Sequence, residues 1–316
     1  MKKSVFLFSL IIIIMLAISA CSSQSANPTT IRIAALPVLD TLPIHVAQEE
    51  GLFEKHDVSV EILPAGSAPK RDEMISAGQA DGMVNEVVST IFYNRDETQV
   101  QIVRYARTAT PDSPIFFILA SSQSGISAID QLKGVEIGVS KGTVIEYLTD
   151  RLLQAEGFSN EQISTVSVPD IGQRMALLGS GELNSAMLPD PLASLVMQQG
   201  AILVIEDSRH PEYSHSTVSF RKSFIDENPD AVRGFLAAWE DAVEMINTDP
   251  QYFADLMVAK ELVPPPLIDQ FPVPQFVTAD VPSKSQWDDS IDWVNENNLE
   301  SGQASYENSV TSEYLP

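Results

Sequence analysis

Hydrophobic and polar positions divide the chain into three regimes. From Val5 to Ala20 the residues are apolar except for Ser9 and Ser19. From Ile31 to Ile205, short apolar runs of strand length alternate with amphipathic stretches of helix length. Beyond Asn228 the period becomes helical.

In the middle regime, strands are predicted over 31–36, 59–63, 81–84 and 100–105, with helices over 45–53, 70–77 and 87–93. The wholly apolar run 115–120 is followed by a fresh start: strands over 135–139, 165–168, 185–188 and 201–205, helices over 143–156, 173–178 and 191–199. Strands that alternate with helices indicate an α/β fold whose sheets are largely parallel. A segment over 215–220 can return the chain to the first unit beside 115–120. The expected architecture is therefore two lobes, each a mixed sheet flanked by helices, joined by a two-strand hinge. Lobe 1 would hold 31–117 plus 216–316, and lobe 2 would hold 118–215.

In the last regime Asn228-Pro229 offers a cap and a first-turn proline. Val232, Phe235, Leu236, Trp239, Val243 and Ile246 then fall on one helical face. Further helices are predicted over 252–260 and 287–295, separated by the proline-rich stretches 263–266 and 271–274 that no regular element crosses.

The N-terminal regime has a different meaning. Lys2 and Lys3, an apolar stretch and small residues form the three parts of an export signal, read as 1–20. The stretch is short of the roughly 20 apolar residues that span a membrane. Ile18-Ser19-Ala20-Cys21 looks like a bacterial lipobox, so Cys21 is the expected lipidation site. Two acyl chains give lasting attachment, because each buried methylene contributes about 0.8 kcal/mol. Residues 21–30 are small, polar and aperiodic, which suits a lipidated tether. The protein is accordingly expected at the outer face of the bacterial cytoplasmic membrane.

Composition narrows the chemistry. Cys21 is the only cysteine, which excludes an intramolecular disulfide, a cysteine-ligated metal and a free cysteine nucleophile. The net charge is −24, and about −26 without Lys2 and Lys3, so nucleic acid is not an expected partner. His45, His56, His210 and His215 have neither HExxH spacing nor a companion cluster, and no GxSxG turn occurs. No cofactor, metal or catalytic residue is assigned.

Several phrases resemble one family. They are Leu42 to His56 with its Gly51-Leu52-Phe53 turn, Ser76 to Gly82, Leu132 to Val139, Gly179 to Met187, and Asn228 to Leu236. Together they resemble the nitrate/sulfonate/taurine and thiamine-precursor group of ABC-transporter receptors, which have the type 2 periplasmic binding protein fold. The resemblance implies a monomeric receptor that captures a small organic nutrient between its lobes and delivers it to an ABC permease and ATPase. Enzymes of the same fold act on pyrimidines and related metabolites, and a sensory ligand-binding domain is the third alternative. The thiamine-pyrimidine synthases that this group resembles carry a cysteine-rich motif that is missing here.

In α/β lobes, ligands sit beyond the carboxyl ends of strands, where helix N-termini supply free N–H groups. Five loops qualify here. The first contains Pro37, Asp40 and Thr41; the second Asn85 and Glu86; the third Thr108. The fourth contains Lys141, Gly142 and Thr143, and the fifth Asp190 between two prolines. Each position has a plainer role as cap or turn former. Basic residues nearby are few, with Lys141, Arg107, Arg174 and Arg71 among them. Three acids near one cleft would repel a bare anion, so a neutral, zwitterionic or cationic solute is expected.

Overall fold

The computed structural model describes residues 28–268 and 271–316. The expected signal, Cys21 and most of the tether lie outside the described residues.

Among the described residues, ten strands form two sheets. In chain order they are β1 Thr29–Ala35, β2 Val58–Pro64, β3 Gly82–Asn85, β4 Val100–Thr108, β5 Phe116–Ala120, β6 Glu136–Val139, β7 Ser164–Ser167, β8 Ser185–Pro189, β9 Ile202–Glu206 and β10 His215–Arg221. The first sheet has the order β2-β1-β3-β10-β4 and the second β7-β6-β8-β5-β9. β1 runs parallel to β2 and β3, and β6 runs parallel to β7 and β8. β10 is antiparallel to β3 and β4, and β5 is antiparallel to β8 and β9. The two sheets thus repeat one plan, with the antiparallel strand supplied by the chain as it arrives from the other sheet. The expected boundary at 117/118 falls inside β5, all of which pairs within the second sheet.

Most predicted elements shift only at their ends. The helix predicted over 45–53 is two, Leu42–Glu49 and Leu52–Lys55, because Gly51 between them is left-handed at φ 66°. The helix Ala68–Ser76 begins earlier than predicted, capped by Ser67, whose hydroxyl accepts from the Lys70 N–H. Asn228 does not cap the helix Pro229–Thr248 with its side chain, which donates back to Phe224 O instead.

The first core lies between the first sheet and Pro229–Thr248. All six apolar residues predicted for one face of that helix are fully buried. Phe235 stacks on Phe53 at 5.5 Å and meets Phe220 edge-on at 5.3 Å. Burying such a side chain contributes about 1.5–3 kcal/mol. Gly234 sits within the helix at an intrinsic penalty of about 1 kcal/mol relative to alanine. A Cβ there would stand 2.5 Å from His56 O, so the close approach of the helix to the loop before β2 requires glycine.

The second core is shared. Helices Val87–Asn94, Val144–Ala155 and Lys284–Glu296 pack around Val88, Ile91, Leu148, Trp287 and Trp293. The helix Lys284–Glu296, expected with lobe 1, also bonds to the second unit. Asp289 accepts from Tyr147 Oη at 2.7 Å and Arg151 Nε at 3.1 Å, and Trp293 Nε1 donates to Asp150 at 2.7 Å.

Candidate ligand-binding cleft

The carboxyl ends of β1, β3, β6, β7 and β8 converge on one cavity, with the amino ends of β5 and β10 between them. The cavity has room for at least one water. Leu36, Val38 and Val84 from the first unit, and Val144, Ile145 and Pro169 from the second, make the walls mostly apolar.

Of the residues predicted from loops, Asp40, Glu86 and Asp190 line this cavity. Pro37 is exposed, and only its neighbours Leu36 and Val38 reach the cavity. Thr41 turns back to donate to Val38 O at 2.8 Å. Asn85 is saturated within the protein: its amide donates to Ser89 and Thr90, and its Oδ1 accepts from Thr217 and Ser219. It ties β3 to β10 and does not line the cavity. Thr108 pairs with His215 in the β4–β10 ladder. Lys141 is half-exposed and lies in a separate polar depression with Glu146 and Asp150. Gly142 takes φ +68° and donates its N–H to Glu146. Thr143 caps the helix Val144–Ala155, accepting from the Ile145 N–H at 3.2 Å. From that loop Ser140, Val144 and Ile145 reach the cavity instead.

Each of the three acids already has partners. Glu86 caps Val87–Asn94 through the Ser89 N–H at 2.7 Å and pairs with Arg71 at 3.0 Å. Burial opposes charge on Arg71, but Asp72 and Glu86 beside it outweigh that and hold its pKa above the ordinary value. Asp40 lies 3.6 Å from Arg107 Nη1. Asp190 accepts from Ser194 N and Oγ, at 3.1 and 2.7 Å. Burial still pushes the Asp190 carboxyl above its usual range, against the effect of those bonds.

The group without a counter-charge is Arg174. It is fully buried on the helix Ile171–Ser180, where Nε donates to Met187 O at 2.8 Å and Nη1 to Val168 O at 2.7 Å. Nη2 has no partner among the described residues. Burial lowers its pKa to about 10, so it stays charged at neutral pH, and Asp170 resists the shift only in part. Ser140 Oγ, also on the cavity lining, is buried and unpartnered. His215 and Ser216 complete the lining at the start of β10 with unpartnered Nδ1 and Oγ atoms. Burial lowers the His215 pKa to about 4, leaving the ring neutral at physiological pH. A buried cation followed by an apolar residue run gives no periodic signal, so Arg174 was visible in the sequence only as a nearby base.

Comparison with known proteins follows the same outline. A Haemophilus influenzae protein named for thiamine biosynthesis is 24% identical over 221 residues, covering 67% of this chain and 66% of that protein. The chain thus spans just under two thirds of that relative's length. The alkanesulfonate-binding protein SsuA of Xanthomonas axonopodis pv. citri, solved bound to MOPS, has a TM-score of 0.76 at 16% identity, over 90% of this chain and 99% of that one. The desulfurization enzyme DSZB has a TM-score of 0.69 at 15% identity, over 91% and 97%. These two likenesses show the periplasmic binding protein fold, which a binding protein and an enzyme share. The family described as NMT1/THI5 like matches residues 39–252, a stretch that carries nine of the ten described strands, all but β1, and the chain belongs to that family.

Proposed function

We propose that this protein is the solute-binding receptor of an ABC importer, and that it captures a small organic anion between two lobes. A lipid on Cys21 and a tether over 21–30 would hold it at the outer face of the bacterial cytoplasmic membrane, where it delivers solute to a permease and its ATPase. The lobes would close about the two chain crossings, which lie between β4 and β5 and between β9 and β10. Replacing Cys21 with serine should move the protein from the membrane fraction to the soluble one with solute binding intact.

The observation that carries the reading is the buried guanidinium of Arg174, a residue of the cleft lining whose Nη2 has no partner and which forms no ion pair among the described residues. An isolated buried charge is unfavourable unless a partner arrives. This preference reverses the neutral-to-cationic solute expected from Asp40, Glu86 and Asp190, because those acids are engaged by Arg107, Arg71 and Ser194. The alkanesulfonate-binding protein of Xanthomonas was solved bound to MOPS, which carries a sulfonate group. Calorimetric titration with propane-1-sulfonate, butanoate and 1,4-diaminobutane tests the charge preference. Binding of an anion and not of the diamine is expected; the opposite pattern would remove the role given to Arg174.

A second reading is an enzyme of this fold acting on a pyrimidine or related metabolite. The thiamine-biosynthesis name of one relative and the likeness to DSZB favour it. Chemical turnover of a bound solute by the isolated protein would establish it, and unchanged recovery of solute supports the receptor.

A further inference from the structure

The anion reading uses Arg174 and leaves a second set of buried polar atoms beside the cleft unused. Ser216 on β10 pairs in register with Arg107 on β4, so their side chains share one face of the first sheet. Ser216 is 6% exposed and Arg107 is 2% exposed. The Ser216 hydroxyl and both Nε and Nη1 of Arg107 have no hydrogen-bond partner among the described residues. Arg107 is held from its far side, where Nη2 donates to Ser113 Oγ and Pro114 O, each at 3.1 Å. The 3.6 Å separation from Asp40 is an ion pair without a hydrogen bond. Ser216 and Asp40 both line the cavity, and Arg107 adjoins the two of them from outside that lining.

Leaving a buried donor unpaired costs about 1–3 kcal/mol, more for a charged group. Three such atoms on one sheet face are a site awaiting an acceptor. A guanidinium only donates, so an ammonium group would leave Arg107 unsatisfied. Asp40 already offsets the charge of Arg107, so a second anionic group would find no unpaired positive charge there. A neutral acceptor suits both constraints.

We propose that Ser216 and Arg107 form a second pole of the cleft, which reads a hydroxyl or carbonyl group remote from the solute's anionic end. The solute class is then a short-chain organic anion with a distal neutral oxygen, its carbon chain lying along the apolar walls between the poles. This inference rests on the anion reading and narrows it.

Paired titrations test it: 3-hydroxypropane-1-sulfonate against propane-1-sulfonate, and 4-hydroxybutanoate against butanoate, on the full folded protein. The hydroxylated member should bind about tenfold tighter or better, the scale of one hydrogen bond to a charged group. Ser216→Ala should reduce that preference to near unity, read as the ratio of affinities within each pair. Arg107→Lys, confirmed folded by its thermal transition, should do the same. Equal affinities within each pair for the unaltered protein would overturn the second pole and leave the anion reading standing. A preference that survives both substitutions would overturn the assignment to these residues. Binding of none of the four compounds would overturn the anion reading and this inference together.

Discussion

The carboxylate of Asp207 accepts the backbone N–H of Ile115 at 2.9 Å, and so joins the two chain crossings between the sheets. It also accepts from the Phe116 N–H at 3.0 Å and from the Ser214 hydroxyl. The second crossing is thereby buckled to the first at the strand starts that line the cleft.

Asp207→Ala should destabilise the protein by about 2–4 kcal/mol in urea unfolding, since it leaves two buried N–H groups without partners. A loss below about 0.5 kcal/mol would show that water replaces the carboxylate.

The same residue has a pH signature. Burial pushes its pKa from 3.8 to about 6, against the bonds that it accepts. Between those values the folded chain binds a proton that the unfolded chain has released. Its contribution to stability is therefore full below the lower value and is lost as pH rises through about 6. Asp150, also raised to about 6 by burial, adds a slope of the same sign. The stability difference between the unaltered protein and Asp207→Asn isolates the Asp207 part, and it should shrink as pH rises from 4 to 6. A difference independent of pH would contradict the raised pKa.

Arg174→Met should weaken anion binding by about 100-fold or more while leaving the protein folded, at a cost held to about 1–3 kcal/mol for the donors that Met187 O and Val168 O lose. An apolar side chain of similar volume removes a buried charge that has no counter-ion in the protein. Loss of folding in this variant would place Arg174 in the core as a structural group and not at the ligand.

Arg71→Ala should cost about 3–5 kcal/mol, because it strands Glu86 in the interior. Arg71→Met combined with Glu86→Gln should recover most of that loss. Equal destabilisation by the single and double substitutions would mean that the pair contributes through packing alone.

Asp289→Ala should loosen the helix Lys284–Glu296 from Val144–Ala155, since Arg151 and Tyr147 both bond to that carboxylate. Faster amide exchange is expected in the C-terminal helix, with β1 and β3 unaffected. Equal protection in both proteins would assign the contact to Trp287 and Trp293 instead.

Much of the fold was legible because its signals are local. Val232, Phe235, Leu236 and Trp239 recur at helical spacing, and that alone places one face of Pro229–Thr248 inward. Gly51 and Gly78 mark helix ends because left-handed backbone is easiest for glycine. The site was less legible for the same reason. Loop residues such as Thr41, Asn85 and Thr143 have side chains suited to ligands, but local backbone and neighbouring strands take up their bonds first.

The order of periodic segments was sufficient to determine the α/β class and the two successive strand–helix runs, and the phrases around Gly51-Leu52-Phe53 and Asn228-Pro229 carried the family resemblance. Spacing along the chain reports which residues share a face, and nothing more. Only the tertiary structure decided the charge of the cleft, by pairing Asp40 with Arg107 and Glu86 with Arg71 while leaving Arg174 and Ser216 with unpartnered atoms. Such pairings depend on how β10 and β4 meet across the sheet, and no local pattern encodes that distance. Asp40 and Glu86 pair with arginines and Asp190 is held by Ser194, while Arg174, the cation proposed to set the ligand's charge, lies on a helix between two of the predicted loops.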